Sequence, residues 1–354
     1  MLITKDGGIR KGSPRRRPRV SVCVPVFNGA EYIRELMDSL LAQTFTDFEL
    51  IVSDNRSTDG TWDLLRSYAS RDSRVRLHRN RKNIGACRNW NRVVAMARGD
   101  YVALYHADDV YFPTILEREV RALESNNTIG AVFTSVNLID SHGVNLGYWR
   151  PHPAFCGKRG FSLWKLLNHM LRTTDNPLYC PTCMVRREIY DALSYDCETF
   201  AYAFDIDMYF RILERYRIRV LPEAQMSYRL SASQGSLTYS VTKINSNELF
   251  TVLDRYFARR PRSFPLSTRI LYKSHQDWDR TLNAVNALLA GEDSLGRRLT
   301  RQSMTPTRFL ACFIQPKLVF NLMVSVAFLG AAHLGFGKTL AKLAHKVRRR
   351  RRRM

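Results

Sequence analysis

Two adjacent carboxylates close a short apolar run, where Tyr101-Val102-Ala103-Leu104-Tyr105 leads directly into His106-Ala107-Asp108-Asp109. Carboxylates this close repel unless a positive group stands beside them. A hard divalent cation bridging carboxylate and diphosphate oxygens is the economical resident, and a simple cap for the next helix is the plainer alternative. A second acidic pair, Asp205 and Asp207, opens the apolar pattern Phe204-Asp205-Ile206-Asp207-Met208-Tyr209-Phe210-Arg211. A helix N-terminus favours carboxylates there, so a capping pair is one reading. Asn83-Ile84-Gly85-Ala86-Cys87-Arg88-Asn89 is a glycine-containing helix entry whose amides could face a phosphate. Asp54 begins the polar run Asp54-Asn55-Arg56-Ser57-Thr58-Asp59-Gly60-Thr61, in which Asp59-Gly60 supplies a tight turn and Ser57 or Thr58 can satisfy orphan helix donors.

The elements that must carry these residues alternate. Residues 20–27 form a β-branched run ending at Asn28-Gly29, and residues 30–43 place Ile33, Leu36, Met37, Leu40 and Leu41 at helical spacing. Strand signals recur at 48–52, 75–78 and 101–105, and helix signals at 61–69 and 86–97. Such a β-α-β-α-β-α-β chain with short links predicts the α/β class, a mostly parallel sheet with helices on both faces. Ligands of such sheets bind beyond the carboxyl ends of the strands, where all of these motifs fall. Beyond residue 107 the pattern is mixed. Helices are expected near 113–125, 162–171 and 205–216, and strands near 130–136, 219–221 and 225–230. Residues 240–308 read as helical and polar, without a chemical motif.

At 354 residues, 45% hydrophobic and 25% charged, the composition excludes long-range disorder and fibrous repeats. The net charge of +23 suggests a nucleic-acid binder until it is located. Residues 1–20 carry seven Lys/Arg against Asp6, and residues 338–354 carry nine against no acid, so the body between is only mildly basic. The Arg348–Arg353 block has no interleaved aromatics, and no RNA-binding signature or recognition helix appears. The basic N-terminus leads into a strand pattern, which argues against a signal peptide. Seven scattered cysteines, with Cys180-x-x-Cys183 the one metal-like spacing, are expected to be reduced and mostly packing residues of a cytosolic protein.

The order and spacing of these units over roughly residues 20–236 resemble the family-2 glycosyltransferases, with their A-type (Rossmann-like) nucleotide-sugar-binding fold. The resemblance implies that Pro25, Val26, Phe27, Asn28 and Asp54 hold the nucleotide base, and that Asn83, Gly85 and Asn89 help seat the nucleotide. It gives ribose and metal contacts to Ala107, Asp108 and Asp109, with Mn2+ or Mg2+ on Asp108 and Asp109. His106 stands where that family usually has its first Asp, which shifts the metal work to Asp108. Asp205 takes the catalytic-base position, and Phe204 stands in place of the usual preceding Glu. Tyr228-Arg229-Leu230 with Ser231, Ser233 and Ser236 resembles the segment that closes over the diphosphate. The implied reaction is inverting transfer from a nucleotide-diphosphate sugar, by family default uridine-linked, to an acceptor hydroxyl in cell-surface polysaccharide or glycolipid synthesis. A nucleotidyltransferase and a basic nucleic-acid-binding protein are the alternatives. The Asp205 pair and the 57–61 turn favour sugar transfer, with no specific nucleic-acid partner.

The expected organisation is a basic tail at 1–19, a catalytic domain at 20–236, a helical extension at 237–308, an apolar membrane-associating segment at 309–337 and a basic amphipathic tail at 338–354. Residues 318–337 hold no Asp, Glu, Lys or Arg, about enough length to cross ~30 Å of hydrocarbon. Yet Asn321, Ser325 and His333 fall within about a third of the helix circumference. A single span would also put the cationic tail opposite the nucleotide-sugar side, against the positive-inside rule. The expectation is a peripheral enzyme on an anionic cytosolic leaflet, acting on a lipid-linked or polysaccharide acceptor.

Overall fold

The computed structural model describes residues 17–231, 245–333, 339 and 341–342. Ser233, Ser236 and nearly all of the 338–354 tail lie outside the described residues. The first half alternates as expected: β1 (Val20–Val26), α1 (Ile33–Leu41), β2 (Phe48–Asp54), α2 (Thr61–Ala69), β3 (Val75–Arg79), α3 (Ala86–Ala95) and β4 (Tyr101–Leu104). Then come β5 (Val110–Tyr111), α4 (Ile115–Glu124), β6 (Ile129–Ile139), β7 (Asn145–Trp149), α5 (Leu163–Thr173), β8 (Cys183–Arg186), α6 (Arg187–Ala192), α7 (Phe204–Leu213) and β9 (Arg217–Arg229). Five helices follow: α8 (Glu248–Phe257), α9 (Leu266–Ala290), α10 (Asp293–Gln302), α11 (Pro306–Ile314) and α12 (Leu318–His333).

One mixed sheet runs in the order β3-β2-β1-β4-β8-β6-β9-β5, with β7 against β6. β3, β2, β1 and β4 are mutually parallel, β8 runs antiparallel to β4 and β6, and β6 and β9 are parallel. The β-branched run of β1 is explained by burial on both faces. Val22, Val24 and Val26 face a core shared with Leu36, Leu40 and Leu116, while Cys23 faces the other with Val93, Leu167 and Phe210. The second half departs from the sequence reading in detail. β9 is one strand where two were expected: Pro222 lacks a donor, and a bulge opposite Thr134–Ser135 carries the pairing past it from Leu221 to Ala224. β5, β7, β8 and α6 were not foreseen, being too short or, in β7, too exposed to show a buried pattern.

α8 and α9 pack against α5, and the His275 ring nitrogen Nε2 pairs with the Arg172 carbonyl at 2.8 Å. Among the described residues no helix is long and apolar enough to cross a membrane. α12 itself is 16 residues.

Candidate active site

The register Val26↔Asp54 starts the loops after β1 and β2 side by side. Asn28, at φ 51°, donates its backbone N–H to Ser57 Oγ (2.8 Å) and accepts from the Thr58 N–H (2.9 Å) through its amide oxygen. The Ala30 N–H donates to the Asp59 carboxylate at 3.0 Å. Asp54 is buried: it receives the Ser57 N–H at 3.0 Å and pairs with Arg79 at 3.0 Å, whose guanidinium lies over Trp62. Phe27 is half exposed beside them.

Gly85, at φ 83°, turns the chain into α3, a conformation other residues rarely adopt. Asn83 and the Gly85 carbonyl accept from the Asn55 amide at 2.8 and 3.3 Å. Asn89 points inward, bracketing Ser53 through two hydrogen bonds (2.7 and 3.0 Å) and accepting from Asn80 at 2.9 Å. The structure thus makes Asn89 a brace of the β2 end, and Asn55 and Asn80 are the partners that sequence reasoning missed. A polar residue in an otherwise apolar α3 face was the available signal.

At the end of β4, ligand atoms of His106, Asp108 and Asp109 lie within 4.8 Å of one another. Asp109 is buried, and only its Oδ1 has a hydrogen-bond partner, the Arg229 N–H at 2.9 Å. Its Oδ2 and the His106 Nε2 are buried without one. Burial first, then the charge of Asp108, pushes the Asp109 carboxyl well above the usual range, while Arg229 opposes that shift. Burial pushes the His106 ring below its ordinary value against the pull of Asp108. These unpartnered ligand atoms, next to Asp108, fit a hard divalent cation, and His106 joins the donor set at the position where the sequence reading set it aside.

The acid loop is bolted down. Tyr111 OH receives the His106 N–H at 2.8 Å and donates to the Pro181 carbonyl at 3.0 Å. Arg229, almost fully buried, donates to the Asp108 carbonyl (2.8 Å) and the Asp140 and Ser141 carbonyls (3.3 Å each), pairs with Glu35 and lies over the Tyr32 ring. In this arrangement its guanidinium clamps the Asp108–Asp109 loop.

Because Leu104 pairs with Cys183, the 180–182 turn lies beside the acid loop, and Asp205 in the first turn of α7 reaches it. Its carboxylate receives the Ile206 N–H at 2.7 Å and a hydrogen bond from Cys180. Burial raises it from its ordinary value to about 6, against those donors. Glu248 holds the approach to α7 by accepting the N–H groups of Ala201, Tyr202 and Ala203 at 3.1, 2.8 and 2.9 Å. Trp90 packs between Phe204 (4.9 Å) and His106 (5.2 Å), so the two residues that depart from the resembled pattern share one aromatic neighbour.

Asp207 has a different environment. It is buried and ion-paired with Arg211 Nε at 2.8 Å and Arg255 Nη1 at 2.7 Å. Asp207→Ala is therefore expected to lower the unfolding free energy by about 2–3 kcal/mol, because it strands two partly exposed guanidiniums. Asp207→Asn should cost less and retain transfer in the folded fraction. Chemical denaturation and specific activity check this, and loss of transfer at unchanged stability would make Asp207 a base.

The expectation of uniformly reduced cysteines is corrected. Cys87 of α3 and Cys197, ahead of α7, form a disulfide, and the other five cysteines are free. Two residues 110 apart in sequence gave no spacing signal. The Arg88–Glu198 ion pair (2.8 Å) flanks the bridge, which ties the glycine-led helix entry to the segment before α7.

Residues 21–194, which hold the β1, β2, α3 and β4 loops, match the family model described as Glycosyl transferase family 2. The chain belongs to glycosyl transferase family 2. An uncharacterized glycosyltransferase of Methanocaldococcus jannaschii is 29% identical over 217 residues, 60% of this chain and 71% of that protein. Among solved structures, S. aureus TarS 1–349 in complex with UDP superposes with a TM-score of 0.52 at 18% identity, covering 90% of this chain and 92% of that one. The mannosyltransferase PcManGT from Pyrobaculum calidifontis, solved with GDP-Man and Mn2+, gives 0.52 at 19% identity over 91% of this chain and 88% of that one. At these identities the structural likeness is one of fold, and it agrees with the A-type architecture. This family-2 member is a glycosyltransferase, and its acid loop and the first turn of α7 lie at one sheet end.

Proposed function

We propose that the chain transfers a sugar from a nucleotide-diphosphate sugar, uridine-linked by the family default, to an acceptor hydroxyl with inversion. Asp205 is the general base. Its carboxyl, raised to about 6 by burial, is ionised at neutral pH and basic enough to take a hydroxyl proton as the new bond forms. The observation that carries the reading is geometric: a second carboxylate, at the start of α7, is held beside the acid loop, where an acceptor hydroxyl would have to be deprotonated.

In this reading Pro25–Asn28 and Asp54 seat the base, with Phe27 as an exposed apolar surface, and Asn83 and Gly85 border the nucleotide. Asn89 braces that border. Asp108, Asp109 and His106 would hold Mn2+ or Mg2+, which when bound neutralises the charge growing on the leaving diphosphate. Arg229 fixes the acid loop beside the diphosphate, and base and leaving group on opposite faces of the sugar give in-line attack. The fold neighbours solved with UDP and with GDP-Man and Mn2+ support a nucleotide-sugar donor and a divalent ion. We place the enzyme on the cytosolic face of a membrane, where nucleotide-sugars are available, with a lipid-linked or growing polysaccharide acceptor.

The test is a thermal-shift screen of UDP-sugars, GDP-mannose and nucleoside triphosphates, each with and without Mn2+ or Mg2+. Binding to the native state raises the melting temperature. A nucleotide-sugar is expected to raise it by several degrees, more with the ion than without. Stabilisation by triphosphates alone, with pyrophosphate release, would favour nucleotidyl transfer.

A further inference from the structure

α12 packs one face on α9 and leaves a second, equally apolar face turned outward. Ser325 is fully buried, sharing a hydrogen bond with Thr281 Oγ1 at 2.9 Å and donating to the Asn321 carbonyl at 2.9 Å. Asn321 in turn accepts from Arg308 at 3.0 Å. Leu318 and Phe328 are buried against Leu271, Val285 and Leu288 of α9. What faces outward is apolar: Phe320, Met323 and Val326 recur at helical spacing and are about half exposed. Across the short 315–317 turn, α11 adds Phe309, Leu310 and Phe313, the last 87% exposed. A water-facing surface helix shows the opposite arrangement, and contiguous apolar patches of this kind mark interaction sites.

Charge selects the partner. From residue 294 to 354 the chain carries fourteen Lys/Arg and not one Asp or Glu, and Lys317 and Lys342 are exposed close to the patch in sequence. A second copy would bring two cationic surfaces together, and a nucleic acid would leave the aromatic face in water. An anionic lipid leaflet satisfies both features, since its acyl region takes the apolar side chains and its headgroups take the cations. With Ser325 hydrogen-bonded to Thr281 of α9, and Leu318 and Phe328 packed against the same helix, α12 is held along the protein surface and lies in the interface.

We infer that the outer face of α11 and α12 is a monotopic docking surface that sinks its aromatic side chains into an anionic leaflet, with the α9 side directed at the protein. This rests on the membrane-peripheral reading above and names the surface responsible.

The experiment uses the full chain in flotation with phosphatidylcholine vesicles, with and without a third phosphatidylglycerol, at 0.05 and 0.5 M NaCl. The comparison is a triple variant, Phe313→Ser, Phe320→Ser and Met323→Ser, all exposed positions whose loss leaves the core intact; an unchanged melting temperature controls for folding. Wild type is expected to float with anionic vesicles and to stay partly bound at high salt, because the apolar contribution is not screened. The variant is expected to bind at least tenfold more weakly at low salt and not at all at high salt. Wild type that ignores anionic vesicles would overturn the peripheral reading itself. Wild type that floats equally with the triple variant would leave that reading standing and overturn the docking surface. A wild-type dimer in sedimentation velocity that the triple variant converts to monomer, with flotation unchanged, would assign the face to a second copy and overturn it too.

Discussion

Asp205→Asn is expected to keep nucleotide-sugar affinity within a few-fold and to lower transfer by a factor of roughly 10²–10⁴, the range that a positioned general base contributes. Two features set this apart from a generic loss. The carboxylate is held by the Ile206 N–H and the Cys180 thiol, and an amide oxygen can still accept the Ile206 N–H, so the helix start should survive the change. Burial has raised the wild-type group to about 6, so its basic form is lost as the pH falls through that value. Wild-type turnover at saturating substrates should therefore fall about tenfold per unit below pH 6 and level off above it. The residual rate of the variant should lack that limb. Isothermal binding of the donor with a pH–rate profile checks both halves. A variant that turns over like wild type, or one that retains the limb near 6, would place the base elsewhere.

How much of this was legible beforehand differs by element, for physical reasons. The parallel half of the sheet announces itself because strands buried on both faces must be β-branched throughout, as in Val20–Val26, and because each ends in a polar loop. The acid loop and Asp205 were readable as residue types at strand and helix ends. Their supports were not, since Tyr111 reaches Pro181, Asn55 reaches Asn83 and Asn80, and Glu248 reaches Tyr202, each across 25 or more residues. Arg255 is the clearest case. It lies in a stretch that carries no motif, yet it holds Asp207 in an ion pair, so the separate role of the second acid shows only in the fold. The Cys87–Cys197 bridge was hidden for the same reason. For α12 the polar residues were seen, but periodicity gives a face and not its direction; only packing on α9 shows that Ser325 looks inward.

The second large effect is expected at Asp108. Asp109 is partly committed, since its Oδ1 takes the Arg229 N–H and its side chain is buried, so Asp109→Ala should disturb the loop as well as any ion. Asp108 holds the loop to Arg229 through its backbone carbonyl, which substitution does not remove, and this leaves its half-buried carboxylate available to a ligand. Asp108→Ala should therefore fold normally, lose most of the Mn2+-dependent part of donor stabilisation and reduce transfer at least about a hundredfold, since a divalent ion supplies several kcal/mol of charge stabilisation. Chelator should bring wild type to the same low rate and leave the variant almost unaffected. His106→Asp should remain active, because it puts a carboxylate where the donor set already holds a ligand atom, although the neighbouring Trp90 contact will loosen. The measurement is the thermal shift by nucleotide-sugar across a Mn2+ titration, paired with initial rates in excess chelator. Full wild-type activity under chelation would take the ion out of the reaction and leave the acid loop a purely structural role through Arg229.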